Sequence, residues 1–249
     1  MSTWKLLSPP IYNYKASKNL QLNVHTYFLC LAHSDTSGYN VCPKANRMSI
    51  NEHNNNKSDC SYVCVAENGN GRYPNVENAR IRKTKMFFEH RAEFMELLYN
   101  DIKKAIEYSK KRSYKPTFRL NAYSDIRWEN VKYKGKSLME HFPNIVFYDY
   151  TKLVNRKVPK NANLTYSYWG NNKDYKIATK NGLNVAMVFD KRVPLPDKYN
   201  GKKVIDGDLT DLRTKENDGN NVIVGLRAKM SKANIDKELQ KDISFVVRP

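Results

Sequence analysis

A chain of 249 residues, 40% hydrophobic and 12% aromatic, can bury a substantial core, which excludes a disordered or fibrous protein. No apolar run approaches the roughly 18 residues of a membrane helix, and Met1–Pro10 lacks the apolar core of a secretory leader, so a cytoplasmic protein without membrane partners is expected. The formal charge of +18 suits an anionic partner, nucleic acid foremost, although a solvated lysine-rich surface accounts for the same charge.

In chain order, His25–Leu31 is rich in β-formers and is broken by Ser34–Gly38, which predicts a strand. Residues 41–79 are loop-rich, with Asn51, Asn54, Asn55 and Asn56 in a polar tract. A loop this long inside a domain needs something to order it. One long helix is predicted over 75–112, where Phe87, Phe94, Leu98, Ile102 and Ile106 recur at helical spacing. Lys103, Lys104, Lys110, Lys111 and Arg112 favour the C-terminal end of its dipole, and Pro116 closes it. Strands follow at 117–121, 144–150, 164–168, 184–189, 203–205 and 221–226, with a short helix at 135–142. Several of these runs are apolar on both faces, as strands of a parallel sheet between layers are. The alternation predicts an α/β fold in a single domain spanning 1–249. Its sheet is mixed or mostly parallel with flanking helices, and a partial βα barrel is one form of it. The cysteine-bearing loop region is 25–79 and the βα sheet region is 116–230.

The four cysteines are Cys30, Cys42, Cys60 and Cys64, all within 35 residues. In a reducing cytosol, clustered cysteines point to metal or redox chemistry rather than disulfides. Cys60 and Cys64 are four apart, so one helical turn would put both thiols on one face. Thiolates select zinc, copper(I) or iron–sulfur clusters. Zinc sites favour two matched close pairs, whereas the spacing here is one close pair and two remote singles. An iron–sulfur cluster of the [4Fe–4S] type tolerates that spacing, with zinc or plain packed thiols as the alternatives. Cys42, Cys60 and Cys64 are the expected ligands and Cys30 is the candidate fourth. Should Cys30 not ligate, one iron keeps an open position that can act as a Lewis acid. Lys44, Arg47, Lys57 and Arg72 are cations that could balance the cluster's charge.

Several motifs occur together and in order: Cys42-Pro43-x-Ala45, Cys60-x3-Cys64-x-Ala66, Gly71-Arg72-Tyr73-x-Asn75-Val76, Arg119-x5-Asp125 and Phe147-Tyr148-x-Tyr150-Thr151-Lys152. They are followed by Asp206-Gly207-Asp208-x2-Asp211-x-Arg213 and Val224-Gly225-Leu226-x-Ala228-Lys229. This set resembles the bacteriophage family known as gene product eighty-eight, over about residues 25–230. The resemblance implies a viral protein working in the cytoplasm of a host bacterium, with a shared site at Cys42, Cys60 and Cys64; Cys30 falls outside the pattern.

Arg119 and Asp125 lie at a predicted strand end, where α/β sheets place their sites, and are the candidate catalytic pair. Asp206, Asp208 and Asp211 form an acidic turn, read either as a cation site or as a solvated turn paired with Arg213. There is no G-x-S-x-G, Walker or dinucleotide fingerprint. The expected function is cluster-dependent hydrolytic or redox chemistry on a small molecule. The alternatives are a nucleic-acid-binding protein with a structural iron–sulfur or zinc site, and a protein that binds a host partner.

Overall fold

The computed structural model describes residues 5–10, 14–45, 64, 66, 73–241 and 244–249. Cys60, Arg47 and Arg72, with most of the expected cysteine loop, lie outside the described residues.

The elements run β1 (Leu7–Ser8), α1 (Tyr14–Asn19), β2 (Val24–Leu29), α2 (Pro74–Glu89), α3 (Arg91–Lys110), β3 (Lys115–Arg119), β4 (Lys132–Tyr133), β5 (Lys136–Ser137) and α4 (Leu138–His141). They continue β6 (Val146–Thr151), β7 (Ala162–Ser167), α5 (Asn172–Lys180), β8 (Asn184–Phe189), β9 (Lys198–Tyr199), β10 (Lys202–Asp206), α6 (Lys215–Asp218), β11 (Ile223–Arg227), α7 (Lys232–Leu239) and β12 (Val246–Val247). Ten strands form one sheet in the order β1-β2-β3-β6-β7-β8-β11-β10-β9, with β12 also on β8. From β2 to β10 every pairing along this order is parallel, and only the edge strands β1 and β9 run antiparallel. The expected α/β class with a mostly parallel sheet and flanking helices is what the chain adopts, as an open sheet rather than a closed barrel.

Strand order follows chain order from β2 to β8. Right-handed crossovers then place successive connections on one face of the sheet. The register agrees. Tyr27, Phe118 and Phe147 are neighbours across β2, β3 and β6, and all three pack with Phe87, Phe94, Leu98 and Ile102 of α2 and α3. Farther along, Tyr166, Val185 and Ile223 are neighbours across β7, β8 and β11 and pack with Ala178 of α5. The alternate residues of the same strands face the other way. On that second face Asn19 of α1 donates to Thr26 Oγ1 (2.9 Å) and accepts from Thr210 Oγ1 (2.7 Å) and Asp211 N (3.1 Å). This cover lies at the amino ends of the strands, since Val24, Tyr148 and Leu212 pack together there. The carboxyl ends remain for the site.

One expectation is corrected. The helix predicted over 75–112 is two helices, broken at His90 (φ −130°, ψ 52°). Neither Pro nor Gly is present. Instead the Arg91 side chain stacks on Phe87, and its Nε takes the Phe87 carbonyl at 2.5 Å, the acceptor that the Arg91 amide would use in a continuous helix. The apolar stripe survives the break: Phe87, Phe94, Leu98 and Ile102 are all buried.

Two motif glycines have a plain steric role. The Gly207 amide bonds the Gly225 carbonyl at 2.8 Å, and a Cβ on Gly207 would overlap Val224 Cγ1. A Cβ on Gly225 would come within 2.9 Å of Val204.

Candidate functional site

Near the middle of the sheet, β8 changes partners. Its first half, Asn184–Ala186, pairs with Thr165–Ser167 of β7, whereas Val188 and Phe189 pair with Val246 and Val247 of β12. The strands part beyond Ser167, and a cavity of about 210 Å³ opens over their carboxyl ends. Arg119, Tyr150, Ser167, Ala186, Val188 and Leu226 line it from five strands, all from the face not covered by α2, α3 and α5. Ala122–Asp125 and Lys152 line it from the loops after β3 and β6, and Phe245 from the segment before β12. Cys42 and Cys64 complete the wall together with Lys44 and Ala45.

The loop after β3 is built around Asn121, which is 2% exposed. Its Oδ1 accepts from Ser124 Oγ (2.9 Å), Ile126 N (2.9 Å) and Trp128 Nε1 (3.1 Å). Its Nδ2 donates to the Ile126 carbonyl (3.0 Å) and to Asp149 Oδ2 (3.3 Å). Every polar position of the amide is used, which fixes the loop that carries Ala122–Asp125 over the cavity.

Of the two residues expected to be catalytic, both line the cavity, and both are tied to other groups. Arg119 NH1 pairs with Asp211 Oδ2 at 3.1 Å, and its guanidinium stacks on Tyr150. Burial alone would lower the pKa of Arg119, but Asp211 and the neighbouring Tyr150, Tyr148 and Asp149 hold it above its ordinary value. Asp125 Oδ1 accepts from Thr151 Oγ1 (2.8 Å) and Arg156 NH1 (3.1 Å), and Oδ2 accepts from Lys152 N (2.8 Å). Arg156 also grips Glu129, at 2.7 Å through NH2 and 3.0 Å through Nε. With these partners Asp125 secures the end of β6 and its following loop.

Asp149 lies beneath Asn121, accepting from its backbone N–H at 2.9 Å. Burial pushes its carboxyl up to about 7, against the opposing pull of Arg119 and that N–H. The folded chain therefore keeps a proton that the unfolded chain loses near pH 4. This group's contribution to stability is full below about pH 4 and is lost as pH rises through about 7. The Asp149 carboxyl carbon is expected to titrate near pH 7 by NMR; a midpoint below about pH 5 would refute this account.

The cysteines divide. Cys42 and Cys64 share the cavity wall, and the Cys42 thiol lies 3.5 Å from the Tyr123 carbonyl. Cys30 packs instead with Phe28, Ala122 and Tyr123 and is not in that wall. Burial pushes its thiol pKa up. Among the described residues no three His, Cys, Asp or Glu side chains are grouped to hold a metal; Cys60 lies outside them. The acidic turn makes ion pairs other than the expected one with Arg213. Asp206 and Asp208 pair with Arg227 at 2.9 and 3.3 Å, Asp211 with Arg119, and Arg213 with Asp218 at 3.4 Å. Arg213 is fully buried, and toward the turn it donates to the Thr210 carbonyl and not to a carboxylate.

Sequence reasoning gave no site role to Arg80, Lys152 or Ser167. Arg80 of α2 stacks on Tyr123 with its guanidinium 4.3 Å from the ring centroid and donates to the Ala66 carbonyl at 3.1 Å. It thereby holds the segment carrying Cys64 against the cavity. One signal was available: an arginine interrupting the inward face of a helix, one turn before Thr84, itself buried.

Fold and site together define an open-sheet α/β protein with a cavity, lined by Cys42 and Cys64 among the described residues, at a parting of its parallel strands. Among the described residues no helix is long and apolar enough to cross a membrane. The profile of the Gene product 88 family matches residues 4–243. The chain belongs to that family, the phage family that its motifs resemble. No curated protein and no solved structure matches it.

Proposed function

We propose that this chain is an iron–sulfur protein in which Cys42, Cys60 and Cys64 hold a [4Fe–4S] cluster at the wall of the strand-end cavity, where a small molecule is transformed. The observation that carries this reading is that Cys42 and Cys64, from separate stretches of chain, line the same cavity as Arg119 and Asp125. Two thiols with Lys44, Arg119 and Lys152 around one cavity suit a soft, anionic group. When bound, such a cluster supplies either an open iron that polarises an oxygen or a single-electron couple. The chain's own residues then have separate tasks. Asn121 and Asp125 hold the loops that wall the cavity. Arg119, paired with Asp211, forms part of the floor. Ala186, Val188, Leu226 and Phe245 exclude water.

The test is iron, acid-labile sulfide and zinc content, with a visible spectrum, on protein purified without oxygen. About four irons and four sulfides per chain are expected. Cys42→Ala, Cys60→Ala and Cys64→Ala are each expected to lose most of the iron. Cys30→Ala should keep it, given the place of Cys30 outside the cavity wall. One zinc without sulfide would overturn the proposal. The +18 charge would then favour nucleic-acid binding around a structural metal, recognisable by affinity that falls steeply with salt.

A further inference from the structure

Among the described residues three cations line the cavity, and two of them are already neutralised. Lys44 pairs with Asp174 at 3.3 Å and Arg119 with Asp211 at 3.1 Å. Lys152 has no carboxylate partner among the described residues. Its Nζ donates to Ser167 Oγ at 3.1 Å and lies 6.0 Å from the centre of the Phe245 ring. The lysine is half-buried, between a hydroxyl and an aromatic face, with Val188 and Leu226 in the same wall. An ammonium in apolar surroundings attracts a counter-anion far more strongly than one in bulk water.

From this arrangement we infer that Lys152 and Ser167 form the anchoring subsite of the cavity, and that its ligand is a small carboxylic acid with an apolar body. The ammonium offers charge and a hydrogen bond. The Ser167 hydroxyl, already accepting from Lys152, has its own proton left to donate. Together they present two adjacent donors, which matches the two oxygens of one carboxylate. A phosphate has a second charge and further oxygens, and the one guanidinium among the described lining residues, Arg119, is already paired with Asp211. The apolar body would rest on Ala186, Val188, Leu226 and Phe245.

The subsite is also set apart from the cysteines. Cys42 lies at Tyr123, after β3, whereas Ser167 ends β7, two strands along the sheet. Strand spacing separates the two ends of the cavity by about 10 Å. A carboxylate held at Lys152 would therefore lay its apolar body over β8 and β11, on the side of Ser167 away from Cys42. The inference rests on the cavity being the working site proposed above, but not on the cluster itself.

The probes are hexanoate, hexanamide and hexylammonium, titrated calorimetrically into the purified 249-residue chain. Hexanoate is expected to bind at least about tenfold more tightly than hexanamide, with hexylammonium weakest. Lys152→Met should abolish that preference and leave hexanamide within about twofold, while Lys152→Arg should keep it. Val188→Trp, which fills the apolar wall, should weaken both ligands. Equal binding of hexanoate and hexanamide, hexanoate binding unchanged by Lys152→Met, or no binding of either would overturn the inference. The same titration on Cys60→Ala separates the two proposals. Carboxylate preference in an iron-free chain leaves the subsite standing without the cluster. Full iron content with no preference removes the subsite alone.

Discussion

Replacing Asn121 with alanine is expected to destabilise the chain by about 3–5 kcal/mol, lowering the urea midpoint by on the order of 1–2 M. The side chain makes five hydrogen bonds, three of them into one oxygen. Alanine would strand the Trp128 Nε1–H and the Ile126 N–H without an acceptor, and Trp128 is 1% exposed. Each buried group left unsatisfied costs roughly 1–3 kcal/mol, and a connected network loses more than its separate bonds suggest. Asn121→Asp would not rescue it. It keeps the oxygen that accepts three bonds but replaces the donor amide, and it sets a second carboxylate against Asp149. A loss below about 1 kcal/mol for the alanine variant would show that the loop is held by something other than this amide.

The second large effect is expected at Arg156. Its side chain is 1% exposed and joins Asp125 and Glu129, which are themselves buried. Breaking such a pair from one side leaves uncompensated charge, so Arg156→Ala should cost about 3–5 kcal/mol. Arg156→Lys should recover little, because an ammonium cannot span both carboxylates as the guanidinium fork does. The diagnostic variant is the triple one. Adding Asp125→Asn and Glu129→Gln to Arg156→Ala removes the stranded charges and should restore more than about 1 kcal/mol of the loss. Simple loss of packing around Arg156 would give no such recovery. Because Asp125 also binds the Lys152 amide, these variants should disturb the cavity wall together with the fold.

Much of the sheet is legible in the sequence because buried parallel strands are written as dense apolar runs. Asn184–Phe189 was expected as a strand and is one; the strands near 117–121, 144–150 and 164–168 shift by only a few residues. The elements missed have thin patterns. Helix α5 fully buries only Asp174 and Ala178, and α7 only Ile235 and Glu238, so each offers little apolar sequence to read. Strand β12 is two residues long and exists only because β8 has a vacancy for it. The break at His90 depends on a side chain capturing a carbonyl, which no periodicity records. At the site, the association of Cys42 with Arg119 and Asp125 followed from motif order and strand ends. Lys152 was one cation among 43, and its distinction is that no carboxylate among the described residues pairs with its ammonium, visible only in three dimensions. That Asp125 is spent on holding Lys152, Thr151 and Arg156 was equally invisible, since its partners lie 26 or more residues away, at the end of β6 and in the loop after it.

The change of partners along β8 also bears on how the chain avoids association. Beyond Ala186, that strand offers main-chain donors and acceptors which β7 no longer meets, and which β12 covers from almost 60 residues downstream. Until Val246 and Val247 dock, Met187–Phe189 is an open edge of apolar sequence in the middle of a sheet. Such an edge is a template for another strand, including one from a second copy of the chain. A molecule ending before Phe245 would retain both helix-packed cores yet expose this template, and so would be prone to aggregate while still largely folded.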